Sequence, residues 1–193
     1  MKSRQLLTHI RKSWTIGRRY FVTNGFDGAL TMLGLMTGFH MGGDVELQTA
    51  IVASLGAAIA LFMSGLSSAY LSEAAERKKE LRELERALLT DLQDSEHGQA
   101  SQFVPMLVAL VNGFSPLLIS LVIISPLWLA RWDLLPMGLS PFLLAILIAL
   151  CSIFLLGVFL SGISRTFWLW SGLRTLFIAA VTLLLILLLG SGY

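Results

Sequence analysis

The chain has 193 residues, is 55% hydrophobic and only 13% charged, and carries a formal net charge of +2. Its mean hydropathy is +0.77, whereas a soluble domain normally has about 25% charged residues. This excludes an ordinary soluble domain, gives no basic surface for nucleic acid, and points to an all-α integral membrane protein.

Residues 1–19 form a basic segment with Lys2, Arg4, Arg11, Lys12, Arg18 and Arg19. No cleavable signal peptide is visible, because the first apolar run follows this polar stretch and lacks a short apolar core with an A-x-A site. A membrane helix needs about 20 mostly apolar residues. Five runs qualify as predicted spans: 20–41, 48–71, 103–129, 139–161 and 170–190.

The first span carries Asp27. At about 100° per residue, Thr23, Asn24, Asp27, Thr31, Gly34 and Gly38 share one face. Small residues let helices approach closely, and a carboxylate facing lipid is costly, so Asp27 is expected to face the bundle or a wet path. It is either a structural carboxylate bonded to a neighbouring helix or a cation or proton site. The second span has a comparable face of Ala53, Gly56, Ala60, Met63, Ser64 and Ser67. Most of these suit packing; Met63 adds a soft thioether, a donor suited to transition metals.

Residues 73–100 should continue span two as an amphipathic helix and a linker. Leu81, Leu84, Leu88 and Leu92 make an apolar stripe, with Glu73, Glu76, Glu80 and Glu83 beside it. Like charges three or four residues apart repel mildly, so the acidic stripe is either laced by ion pairs such as Glu73–Arg77 or occupied by cations. Asp91, Asp94, Glu96 and His97 read as a solvated loop, and His9 and His40 have no partner pattern. The third span contains Pro105, Pro116 and Pro126, which predict kinks or a break. Spans three to five occupy 101–193. Trp128 and Trp132, and Trp168 and Trp170, fall where interfacial aromatic belts would lie. Cys151, the single cysteine, sits in an apolar run and reads as a packing residue.

Two segments echo one another. VTNGFDGALTML at 22–33 resembles LVNGFSPLLISL at 110–121, with Asn24, Gly25 and Phe26 recurring as Asn112, Gly113 and Phe114. Asp27 corresponds to Ser115. Transporters are often built from repeats with the site at their interface. Enzyme signatures such as G-x-S-x-G, H-E-x-x-H and the P-loop are absent, so no enzyme is expected.

Asn24-Gly25-Phe26-Asp27-Gly28, the run MSGLSSAYLS at 63–72 and the acidic helix from Glu73 to Glu85 together resemble the vacuolar iron transporter family. The family includes iron and manganese importers of plant and yeast vacuoles and their prokaryotic relatives. The resemblance covers roughly 20–130. Gly65 stands where the family carries a methionine, with Met63 two residues earlier, and Ala69 replaces a glutamate. The resemblance implies a homodimer that moves Fe²⁺ or Mn²⁺ out of the cytosol in exchange for protons. The metal would be substrate rather than a permanent cofactor. Asp27 and Met63 would line the path with Asn24 and Thr31, while Glu73, Glu76, Glu80 and Glu83 would collect metal. The rival expectation is a membrane protein on the same scaffold that transports nothing and binds a protein partner through its cytoplasmic helix.

Orientation follows from lysine and arginine, which favour the cytoplasmic side. The N-terminal segment and the stretch with Arg77, Lys78, Lys79, Arg82 and Arg86 are basic, and Arg165 and Arg174 flank the last turn. The loop after span one holds only Asp44 and Glu46, and that after span three has Arg131 alone. The N-terminus is therefore expected in the cytosol and the C-terminus outside, in a prokaryotic cell membrane. A cysteine at Gly43 should then react with an impermeant thiol reagent on intact cells, and one at Lys79 should not; the reverse pattern overturns the orientation.

Overall fold

The computed structural model describes residues 2–93, 95–136, 138–164 and 167–190, with the backbone alone for 2–16, 96, 97, 163 and 164. Asp94 and Arg165 lie outside the described residues, as do the side chains of Lys2, Arg4, His9, Arg11, Lys12, Glu96 and His97. The described residues form five helices: α1 (Lys2–Met41), α2 (Leu47–Leu88), α3 (Glu96–Arg131), α4 (Pro141–Ser164) and α5 (Trp168–Gly190). Within α2, α3, α4 and α5 lie runs long and apolar enough to cross a bilayer, and the chain is a membrane protein. By that measure α1 falls short of the five spans expected. Asn24, Asp27 and its threonines and glycines dilute an otherwise apolar run. Its inner face is nevertheless core: Val22, Ala29, Met32, Leu33 and Met36 are fully buried.

The glycines set the packing. A Cβ on Gly28 would lie 2.8 Å from both Cα and O of Pro116, so α1 and α3 touch backbone to backbone there. A Cβ on Gly17 would meet Val111, further toward the start of both helices, so the two helices run parallel. The echoed segments thus lie side by side. On the other flank of α3, Gly65 of α2 rests on Asn112 and Gly113, and Gly113 in turn lies under Phe62 and Leu66. The Phe62 and Phe114 rings meet edge to face at 5.0 Å. α4 and α5 form an antiparallel pair, with Gly157 under Thr175 and Gly172 under the Phe154 ring. α1 packs mainly on α3 and α4 and only slightly on α2.

Two expectations change. First, α3 is one unbroken helix despite its three prolines. Proline at 126 removes the amide that would bond Val122 O, and the Ser125 hydroxyl donates to that carbonyl instead, at 2.7 Å. Such side-chain substitution is how apolar helices tolerate proline. Second, the charged extension does continue α2 without interruption, but it stops at Leu88, so Leu92 is not on its helical stripe. Leu89 caps the helix in the left-handed conformation, φ 51°, with its amide bonded to Glu85 O.

The turn into α3 is tied internally. Glu85 Oε1 accepts from Leu92 N at 3.2 Å. Asp91 accepts from Gln93 N at 2.9 Å, as a solvated turn residue would. Ser95 caps α3 by accepting from Gly98 N at 3.3 Å. Any side chain on Gly98 would run into Gln93 O.

The short loop between α1 and α2 contains Gly43 at φ +75°, a conformation that favours glycine. The exposed Asp44 beside it is the less strained place for the topology probe.

Gly28→Ala forces two backbones apart, with overpacking costs of about 1–3 kcal/mol against a helix-propensity gain of about 1 kcal/mol. The expected outcome is a lower unfolding temperature in detergent. Gly162→Ala, where a Cβ meets nothing within 4 Å, should not lower it.

Candidate functional site

The polar centre of the bundle is built by the echoed asparagines. They are the only two asparagines in the sequence. Asn112 is buried on α3, at 5% exposure. Its amide nitrogen donates to the carbonyl of Gly65 on α2 at 2.7 Å, and its Oδ1 accepts from Asn24 Nδ2 on α1. Asn24 Nδ2 also donates to Tyr20 O at 3.1 Å. Three helices are thereby joined at one level. Ser115, the counterpart of Asp27 in the echo, is buried and donates its hydroxyl to Phe21 O. The second copy spends its polar side chain on helix packing, leaving a carboxylate only in the first.

Asp27 is exposed in the single chain and has no hydrogen-bond or ion-pair partner among the described residues. It therefore does not face the interior of the single bundle. Thr23 and Gly38 are exposed with it, Asn24, Thr31 and Gly34 half-buried, so the predicted polar stripe of α1 lies along the outside of the chain. Thr23 bonds its own helix, donating to Arg19 O at 3.0 Å. The stripe predicted on α2 is outside as well. Ala53, Gly56, Ala60, Ser64 and Ser67 are exposed, and Met63 is 53% exposed. Asp27 and Met63 each lie within a turn of the level set by Asn24, Asn112 and Gly65.

The packing is tight at two positions of α2. A side chain at Gly65 would begin 3.1 Å from Asn112 O, so a methionine there would press on the α3 backbone. Ala69 is buried, so a glutamate there would lose its water.

The glutamates lie further along α2. Glu73 is eight residues, about 12 Å at 1.5 Å per residue, beyond Gly65. It is nearly buried, its side chain 8% exposed, and pairs with Arg77 at 2.8 Å. Arg77 also pairs with Glu80 at 3.0 Å, while Lys79 and Glu83 approach at 3.9 Å. Glu76 is exposed and makes no ion pair among the described residues. Arg77 thus pairs with two of the four glutamates of the stripe, a role that the Glu73–Arg77 spacing had suggested. Among the described residues no three His, Cys, Asp or Glu side chains converge to hold a metal. Within one chain Asn24 and Asp27 stand three positions apart on α1, and the glutamate stripe is not gathered with them. Asn112, absent from the sequence-derived site, was visible only as half of the echo.

No family model matches the chain, and no solved structure matches it significantly. The chain is similar to an uncharacterized protein of Methanocaldococcus jannaschii, 29% identical over 161 residues that cover 82% of this chain and 80% of the relative.

Arg77→Ala would leave Glu73 almost buried without its partner. Losing hydrogen bonds to a charged group costs about 1.5–3 kcal/mol, and the partial exposure of Arg77 moves the expectation to the lower end. Unfolding in detergent should occur at a lower temperature, and Lys79→Ala, at a long and exposed pair, should change it little.

Proposed function

We propose that this protein is a homodimeric carrier that moves a divalent transition metal, Fe²⁺ or Mn²⁺, out of the cytosol in exchange for protons. α1 would act as a fifth membrane-crossing helix, with the N-terminus in the cytosol and the C-terminus outside a prokaryotic cell membrane. The observation that carries this reading is Asp27: an unpartnered carboxylate at the level of the bundle's polar centre, on a face of small and polar residues that the single chain leaves open. Such a face is unfavourable against lipid. A second copy covering it removes the exposure and leaves a polar seam in which Asp27 binds metal or proton, with Asn24, Thr31 and Met63 along the way. The resemblance of the segments around Asp27 and Met63 to iron and manganese carriers supports the same reading. Glu76, Glu80 and Glu83, on the cytoplasmic extension of α2, concentrate cations at the entrance; Glu73 serves first as the partner of Arg77.

A second reading rests on the tip of α2, where Leu84 is 37%, Leu88 57% and Leu89 92% exposed. On that reading the tip binds a protein partner and no ion moves.

Proteoliposomes distinguish the two. Purified protein should drive Mn²⁺ or Fe²⁺ flux that responds to an imposed pH gradient. Asp27→Asn should abolish that flux while leaving helix content and dimer mass unchanged. Replacing Glu76, Glu80 and Glu83 by Gln should slow transport at low metal and leave most of it at saturating metal. Wild-type transport by Asp27→Asn rejects the path, and absence of any metal flux favours the partner-binding reading.

A further inference from the structure

The hydrogen-bond polarity of the asparagine pair has a direction. Asn112 Nδ2 is held by a backbone carbonyl, Gly65 O, and a carbonyl can only accept, so Asn112 must present its oxygen to Asn24. Asn24 must answer with its nitrogen, and the second hydrogen of that nitrogen goes to another carbonyl, Tyr20 O. Both donors of Asn24 are consumed. Its Oδ1 is left as an acceptor with no partner among the described residues. Asn24 and Asp27 are three residues apart on one helix and are therefore side-chain neighbours. The free amide oxygen and the free carboxylate thus belong to neighbouring positions on one side of α1, one turn apart, and the carboxamide of the first is oriented by a residue 88 positions away.

Resting on the transport reading above, we propose that Asn24 Oδ1 and the Asp27 carboxylate form an all-oxygen subsite for a divalent cation, and that Asn112 is its positioning residue. Asn112 does not touch the ion. By taking the amide hydrogen of Asn24, it prevents the carboxamide from turning its nitrogen toward Asp27, where an N–H would bond the carboxylate and compete with the cation. An amide oxygen and a carboxylate are hard donors that suit Mn²⁺ and borderline Fe²⁺ better than soft ions.

The two asparagines make the test specific. Full-length protein labelled with ¹⁵N at its asparagine side chains, in lipid nanodiscs, should give two pairs of carboxamide signals, both protected from solvent exchange. Paramagnetic Mn²⁺ should broaden the Asn24 pair first, and Asp27→Ala should remove that effect. In Asn112→Leu the surviving Asn24 pair should shift and exchange faster, and the Mn²⁺ concentration for half-broadening should rise roughly tenfold to a hundredfold, as for other residues that orient a metal ligand. Asn112→Ser, smaller and able to bond its own helix, replaces the leucine variant if that one fails to fold.

An Asn112 variant with unchanged Mn²⁺ response overturns the positioning role, whether or not the Asn24 signals move. Wild-type signals that ignore Mn²⁺, in a protein whose flux is still abolished by Asp27→Ala, overturn the subsite and leave the transport reading standing. Signals that ignore Mn²⁺ together with absence of flux overturn both.

Discussion

A carboxamide inside an apolar bundle must discharge its hydrogen bonds on protein, because hydrocarbon offers no alternative. The Asn112 side chain does so on two other helices at once, donating one hydrogen bond and accepting another, and this pair of hydrogen bonds ties α1, α2 and α3 at one level. Its position is possible only because glycines flank it. Gly65 lets α2 approach Asn112, and Gly28 lets α1 approach Pro116 one turn further on. Proline at 116 contributes as well: it has no amide to bond Asn112 O, so this carbonyl, which Gly65 approaches, lacks its helical donor. A polar link and two close backbone contacts therefore reinforce one another at a single level of the bundle.

The charged extension of α2 obeys a different constraint. Beyond Ala69 the helix α2 carries five glutamates and five basic residues between Glu73 and Leu88, and it is held by ion pairs rather than by glycine contacts. Only Glu73 is buried there, and it is the one whose guanidinium partner is closest. Helix length rather than tertiary packing carries the segment past the apolar run, and the turn at 89–95 is closed by its own backbone and side-chain bonds. The chain thus joins a tightly registered apolar block to a loosely supported charged one.

Much of this was readable in the residues. Four of the apolar runs appear as helices with bilayer-crossing character, and the stripe around Asp27 was recognisable from its spacing on α1. What could not be read was the outward direction of that stripe. Helical periodicity shows that residues share a face, but not which neighbour the face meets; that is decided by Gly28 and Gly25 docking α1 on α3 and α4 from the opposite side. Of the kinks or break expected in α3, the absence of a break was hidden for a related reason. Proline is a local signal, whereas the serine that repairs the Val122 carbonyl is ordinary in composition. The asparagine pairing spans 88 positions and depends on the register of two helices. The echo of two short segments hinted at their kinship, but only tertiary structure brings them face to face.

One mechanical property follows from the length of α2. The helix continues without interruption from its contact with Asn112 to Leu88, 23 residues or about 35 Å at 1.5 Å per residue. Ala69 and Glu73 are still buried beyond that contact, so the unsupported arm is the 15 residues after Glu73, up to Leu88, about 22 Å at 1.5 Å per residue. A tilt of about 5° where the arm leaves the bundle displaces its end by about 2 Å over that length. The Glu73–Arg77 pair sits at the root of that arm and takes the bending load first.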